Sequence, residues 1–245
     1  MISFNLEGFR RNKQYLADLV TLISPKILFL QEIWILFHEE RLINNYFSDY
    51  QFKISTPDMF QPSEELLSKS GPTWHGAAIG WHNGINTNIT TIESTHERFT
   101  GIRMSVSENS VLLVSFYAPT SGHDEDFFEA ISYLTAYILQ NMSPGDELVI
   151  GTDSNCSEKS TSRRKESWKD FCHLFSLSIH ATGAPTFHHN NGTSESKIDF
   201  FASSSSLKIA DLHQICTLES PQNLSSHDPI VATLNVQNRS ENKTD

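Results

Sequence analysis

Short apolar runs alternate with amphipathic stretches along this chain. "ISFN" at 2–5 has a strand pattern, and it passes into "RRNKQYLADLVTLI", where Tyr15, Leu16, Leu19, Leu22 and Ile23 recur at helical spacing. "KILFLQE", beginning just after Pro25, is a continuous apolar run of strand length. Strand, helix and strand in that order predict a βαβ-like start to an α/β layered fold. The runs "GAAIGW" (76–81), "TNITTIES" (87–94), "FTGIRMSV" (99–106) and "SVLLVSFYAP" (110–119), with turn residues between them, are expected to form consecutive antiparallel strands. "DEDFFEAISYLTAYILQNM" places Phe127, Ile131, Leu134 and Ile138 on one helical face behind an acidic first turn. "ELVIGTDSN" reads as a buried strand with a polar tip, "RRKESWKDFCHLF" as a helix, "APTFHHNNGTSES" as a loop, and "KIDFFASS" and "DPIVATLNVQ" as the last two strands. With no internal repeat and no dividing linker, one domain over residues 1–236 is expected, and the polar tail 237–245 is expected to be disordered.

Composition narrows the class. Of 245 residues 38% are hydrophobic and 11% aromatic, with sixteen Phe, which suits a packed globular core. No apolar run is long enough for a membrane span, and "MISFNLEG" lacks the regions of a signal peptide. The expectation is an intracellular protein, nuclear or cytoplasmic and not secreted, with no membrane partner. Cys156, Cys172 and Cys216 are scattered and form no CxxC pair, so neither a disulfide framework nor a structural zinc site is expected. The net charge of −11 argues against a simple electrostatic wrapper of nucleic acid. A nuclease is still compatible with it, since carboxylates converging on a divalent cation are neutralised locally and "SRRK" at 162–165 offers a basic contact.

Several predicted strands end in residues that a core would not select: Asn5, Gln31 and Glu32, Tyr117, Asp153 and Asn155, Asp199 and His227. Tips gathered at one sheet edge would converge on one cleft. Asp199 lies between Ile198 and two phenylalanines, so its charge needs a partner, and His227 is the obvious one. Together the residues make chemical sense as a phosphodiester-hydrolysing site. Glu32 is an oxygen ligand suited to Mg²⁺. Asp153 would hold or deprotonate the attacking water, with Asn155 on the same side of an extended backbone. Asp199 would fix or charge the His227 ring, while Tyr117 and Asn5 donate hydrogen bonds to phosphoryl oxygens. The turn-rich segment 55–76 either shapes a rim of the cleft or is partly disordered, and His75 beside Trp74 reads either as a stacking contact to nucleic acid or, more commonly for such a pair, as a packed loop corner.

The order of these motifs resembles the endonuclease/exonuclease/phosphatase superfamily. The matching pieces are the Asn of "FNLEG", "LQE", "YAP", "GTDSN" for Gly-x-Asp-x-Asn, "SKIDF" for Ser-x-Ile-Asp, and "SSHDPI" for the terminal Ser-Asp-His-x-Pro. "PTFHHNNGTSESKIDFF" is similar to the apurinic-endonuclease-like branch, above all to endonuclease domains of non-LTR (LINE-type) retrotransposons. The resemblance implies a DNase I-like, four-layered α/β sandwich, two mixed sheets flanked by helices. It implies a DNA endonuclease that nicks one strand to leave a 3′-hydroxyl, with Mg²⁺ or Mn²⁺ as cofactor. Such a domain is a monomer or part of a polyprotein that continues into a reverse transcriptase. One departure stands out: Ser226 occupies the position of the family's Asp, and Asp228 fills the variable position beyond His227. Asp228 and Asn5 are therefore kept as further metal-ligand candidates beside Glu32. Two other readings follow, a related phosphodiesterase acting on RNA, inositol phosphates or lipid head groups, and a catalytically weakened remnant of such an element.

Overall fold

The computed structural model describes residues 1–60, 75–106, 109–157, 159–189, 192, 194–216 and 222–235. The tail 237–245, and Trp74 with the rest of 61–74, lie outside the described residues. Chain order runs β1 (Ile2–Asn5), α1 (Phe9–Ile23), β2 (Ile27–Gln31), α2 (Glu40–Tyr46), β3 (Tyr50–Ser55), β4 (Ala77–His82), β5 (Ile89–Ile92), β6 (Phe99–Val106) and β7 (Asn109–Tyr117). It continues through α3 (Asp124–Asn141), β8 (Glu147–Asp153), α4 (Ser162–Leu174), β9 (Leu177–Ala181), β10 (Phe187–His188), β11 (Glu195–Ser196), β12 (Asp199–Ser204), β13 (Lys208–Gln214) and β14 (Ile230–Asn235).

Two six-stranded sheets result, in the orders β13-β14-β1-β2-β4-β3 and β5-β6-β7-β8-β12-β9. Both are mixed: β1 runs parallel to β2, and β7 parallel to β8. The pleat sorts side chains into layers. Phe29 on β2, Leu113 on β7 and Val149 on β8 fill the space between the sheets. Their neighbours Leu28 and Leu30 pack with α1, and Leu112, Val114 and Ile150 pack with α3 and α4. This is the expected four-layered sandwich, with the expected βαβ start. One expectation is corrected: β4 does not continue the antiparallel run of β5, β6 and β7, but crosses to the other sheet between β2 and β3. Its apolar run is buried on both faces, and such a pattern carries no record of which strands flank it. The edge strands β3, β9 and β13 escape the pattern-based reading. In β13 the alternation is broken by a bulge between Ala210 and His213.

Toward one end of the sandwich the interlayer becomes polar. Gln31 Nε2 donates to Ser3 Oγ (3.1 Å), Ser115 Oγ (3.2 Å) and Gly151 O (3.2 Å), tying the two sheets together. Gly151 permits the close approach: a Cβ there would lie 2.5 Å from Phe29 Cγ. Gly151→Ala is expected to lower stability by about 1–3 kcal/mol through overpacking, checked by urea denaturation.

Candidate active site

Past this polar layer, strand ends from both sheets meet. Asn5 ends β1, Glu32 follows β2, Tyr117 ends β7 and Asp153 ends β8, while Asp199 begins β12 and His227 precedes β14. Three of the turns leave their strands in left-handed backbone, at Glu7 (φ 42°), Glu32 (φ 49°) and Asn155 (φ 43°). Non-glycine residues adopt this region at a cost of order 1 kcal/mol, and such costs gather at functional sites.

Asp199 and Asp153 are direct cross-strand neighbours, and like charges so placed repel unless something lies between them. His227 does. Its Nδ1 donates to both Asp199 oxygens (3.1 and 3.0 Å), and its Nε2 stands 3.8 Å from Asp153 Oδ2. Thr186 Oγ1 donates to Asp199 Oδ2 at 2.7 Å, completing the expected Asp199–His227 pair. Burial alone would lower the pKa of the ring, but the charges of Asp199 and Asp153 and the Asp199 hydrogen bond outweigh it and raise it to about 10. Burial also raises Asp153, and with Asp199 and Glu32 nearby it reaches about 7 despite His227.

Asn5 is the hinge between carboxylates. Its Nδ2 donates to Glu32 Oε1 (2.8 Å) and to Asp153 Oδ2 (2.9 Å), while its Oδ1 accepts from Glu7 N–H (3.0 Å). The amide thus positions the two acids here rather than facing the cleft as a free phosphate donor. Trp34 Nε1 donates to Glu32 Oε2 at 3.1 Å. Burial raises the Glu32 pKa, against the hydrogen bond from Asn5. Asn155 does not sit on an extended backbone as expected. It turns left-handed, which still lets its Nδ2 donate to Asp153 Oδ2 (3.2 Å) and Ala118 O (2.8 Å).

Tyr117 is buried, and burial pushes its phenol well above the usual value. The Gly76 backbone interacts weakly with the hydroxyl, which closes no hydrogen bond among the described residues. Its ring stacks on His75 (centroids 6.1 Å apart) and lies under the Arg98 guanidinium at 4.8 Å. Glu32, Tyr117, His75, Arg98, Thr120 and His123 line a cleft of about 330 Å³ beside the buried cluster. Sequence reasoning missed Arg98, although "HERF" sits directly before a strand that leads to the site.

Asp228 is not part of this set, which corrects its candidacy as a metal ligand. Along an extended stretch its side chain points away from that of His227, and its Oδ2 accepts from His188 Nε2 (3.0 Å) and Gln214 Nε2 (3.2 Å). The hairpin β10–β11 is clasped to the terminal loop by this pair, by Asp228 N–H to Thr186 O (2.7 Å) and by His188 N–H to Ser226 O (2.8 Å). Phe187 then covers the His227 ring, with centroids 5.0 Å apart. Burial lowers the His188 pKa, but the hydrogen bond and charge of Asp228 outweigh it and the net shift is upward. A raised histidine stabilises fully below its ordinary value near 6.5, and the contribution is lost as pH rises through the folded value. Asp228→Asn is expected to cost about 1–3 kcal/mol and to speed hydrogen exchange at the amides of residues 228 and 188, which close the clasp.

The donor set fits a hard divalent cation. Asp153, Asp199 and His227 bring ligand atoms within 4.8 Å of one another, and Asn5 joins Glu32 to the same group. A ring held protonated is a cationic partner rather than a ligand, so Glu32 is the oxygen donor best placed to hold the ion, which leaves Asp153 available as a proton acceptor. The buried Asp153 and Asp199 and the half-buried Glu32 against one imidazolium leave excess negative charge for a cation to neutralise.

No protein-family model and no curated protein matches the sequence. Solved structures match the fold along the whole chain. The endonuclease domain of TRAS1, a telomere-specific non-LTR retrotransposon, superposes with a TM-score of 0.69 at 17% identity, over 97% of this chain and 98% of that one. An AP endonuclease from Leishmania major gives 0.71 at 14% identity, over 94% and 85%. A 3′ phosphatase from Neisseria, bound to a product DNA hairpin, gives 0.71 at 16% identity, over 96% and 98%. The DNase I-like fold expected from the motifs is therefore established. Among the described residues no helix is long and apolar enough to cross a membrane.

Proposed function

We propose that this DNase I-like sandwich is a metal-dependent phosphodiesterase that nicks DNA, leaving a 3′-hydroxyl. The observation that carries the reading is His227 held between Asp199 and Asp153, with Asn5 tying Asp153 to Glu32. The cleft beside it is lined by Arg98, His75 and Tyr117, whose guanidinium and aromatic rings suit a phosphate backbone and its bases. When bound, the divalent cation neutralises and polarises phosphoryl oxygens. The chain's own residues do the rest. Asp153, oriented by Asn5 and Asn155 and with a pKa near neutrality, accepts the proton of the attacking water. The imidazolium of His227, oriented by Asp199, turns its Nε2 proton to a non-bridging oxygen, where charge grows as the P–O3′ bond breaks, and the departing O3′ takes a proton from solvent to become the 3′-hydroxyl. Tyr117 contributes a buried hydroxyl to the same face.

A second reading, a phosphodiesterase of RNA, inositol phosphates or lipid head groups, is favoured by the net charge of −11, which repels a polyanion at long range. A substrate panel in Mg²⁺ separates the two. Conversion of supercoiled plasmid with no turnover of soluble phosphodiesters is expected. Turnover of the small esters with intact plasmid would transfer the site to the second reading.

A further inference from the structure

The run "SRRK" at 162–165, expected to offer a basic contact to nucleic acid, divides its two arginines. Arg163 is exposed, with its guanidinium over the Phe128 ring at 4.2 Å and 3.5 Å from Glu125. Arg164 turns inward from the first turn of α4 and is 1% exposed, out of reach of a ligand. We propose that Arg164 is a positioning residue of the candidate active site, which fixes Asn155, and through it Asp153, by binding the exits of β7 and β8 at once. The role rests on the phosphodiesterase reading of that site.

The guanidinium is bound along every edge. Its Nε donates to Asp124 Oδ1 (2.6 Å) at the start of α3, Nη2 to Thr120 O (2.8 Å), and Nη1 to both Pro119 O (2.9 Å) and Asn155 O (3.3 Å). The Phe127 ring packs on its face, 4.5 Å from Cζ. Asp124 neutralises the charge, but the three carbonyls come from two separate segments, the loop that follows Tyr117 and the turn that follows Asp153. A guanidinium presents its donors in one rigid plane, so a fork bound to both segments sets their spacing, which an ammonium on a flexible stem does not. Withdrawing such a charge from water is costly, and pairing with a carboxylate does not require it, as the exposed Arg163 and Glu125 show one residue away.

Asn155 is where this clamp meets the chemistry. Its carbonyl is held by Arg164, its backbone N–H donates to Asp153 Oδ1 (3.0 Å), and its Nδ2 donates to Asp153 Oδ2 (3.2 Å) and Ala118 O (2.8 Å). Ala118 N–H donates in turn to Asp153 O at 2.9 Å, so the two exits are cross-linked on the side facing the acid as well. The left-handed backbone at Asn155 (φ 43°) is intrinsically unfavourable and persists only while its surroundings hold it. Arg164 holds the carbonyl side of that residue, and with it the direction of both donors to Asp153.

The test is plasmid nicking in Mg²⁺ by Arg164→Lys, made in the wild type and in an Asn155→Ala background. Lysine keeps a charge for Asp124 and loses the planar fork. In the wild-type background kcat is expected to fall at least about tenfold with KM changed less than about twofold, because groups around Asp153 are misplaced and the cleft is not. In the Asn155→Ala background the same substitution is expected to change kcat less than about twofold, since its route to Asp153 is already cut. Amide exchange at residue 155, followed without substrate, is expected to speed at least about tenfold in Arg164→Lys while the β8 amides stay protected. Asp124→Asn keeps an acceptor for Nε at the partly exposed end of the clamp, and carries the same comparison should Arg164→Lys fail to fold. Equal losses of kcat in both backgrounds, a loss confined to KM, or unchanged exchange at residue 155 would make Arg164 a structural residue only and overturn the proposal. Folded wild-type protein that nicks no plasmid would overturn the reading beneath it.

Discussion

Asp153→Asn is expected to abolish phosphodiester cleavage, with a loss of about 10²–10⁴-fold, while the protein remains folded. The substitution is isosteric, and the amide oxygen it introduces can still accept from Asn5, so the floor of the site keeps its shape. Proton acceptance is what disappears. The acid is fully buried, flanked by Asp199 and Glu32, and its pKa is raised to about 7, chiefly by burial. In the wild type the rate should accordingly rise with pH through the range in which Asp153 ionises, and that limb should vanish with Asp153. A single-turnover pH profile with unchanged far-ultraviolet circular dichroism checks both parts.

The second large effect is expected at Asp199. Asp199→Asn removes the charge that keeps His227 protonated and leaves the ring to choose a neutral tautomer. A fall of at least about a hundredfold in kcat, with a smaller change in KM, is the expected result. The sign of its pH dependence follows from the histidine. With its pKa raised to about 10, His227 stays an imidazolium through neutrality, and the wild type should lose activity only as pH approaches that value. Without Asp199 the basic limb should move down toward the ordinary histidine range. Stability follows the same linkage. The pair stabilises fully below about 6.5, and the contribution is lost as pH rises toward 10, so the variant should show a flatter stability profile over that interval. A variant whose basic limb stays in place would show that Asp199 does not set the charge on His227.

Much of this site is legible along the chain because it is built from strand ends. A strand whose apolar run stops at Gln31, Tyr117 or Asp153 announces an edge, and the isolation of Asp199 among Ile198, Phe200 and Phe201 calls for a basic partner that His227 supplies. What the chain conceals depends on backbone direction and on contacts between distant segments. The left-handed turn at Asn155 cannot be read from "GTDSN", where alternation suggests an extended continuation. Asp228 looks like a partner for its neighbour His227, but alternate side chains of an extended stretch diverge, and its real partner is His188, forty residues earlier. Arg98 and Glu7 are ordinary charged residues in sequence. Only folding sets one over Tyr117 and the other against Ser226. The crossing of β4 to the other sheet is hidden for a related reason: a strand buried on both faces has no polar side to indicate its place.

The clasp of the β10–β11 hairpin also bears on the substrate. Phe187 and His188 attach that hairpin to the loop carrying His227, so whatever it touches in a bound ligand is coupled to the ring through short contacts. His75 and Arg98 both pack against the Tyr117 ring, which gives the cleft an aromatic surface with one guanidinium beside the acidic Glu32 and Asp126.

The central claim is that these strand ends form a working phosphodiesterase site for DNA, and nicking of supercoiled plasmid in Mg²⁺ or Mn²⁺ tests it most directly. Wild-type protein is expected to yield open circles whose new 3′ ends a polymerase can extend, and Asp153→Asn, prepared identically, is expected to leave the plasmid intact. Folded wild-type protein that leaves plasmid supercoiled with either metal, or an Asp153→Asn variant that nicks as fast as wild type, would contradict the account.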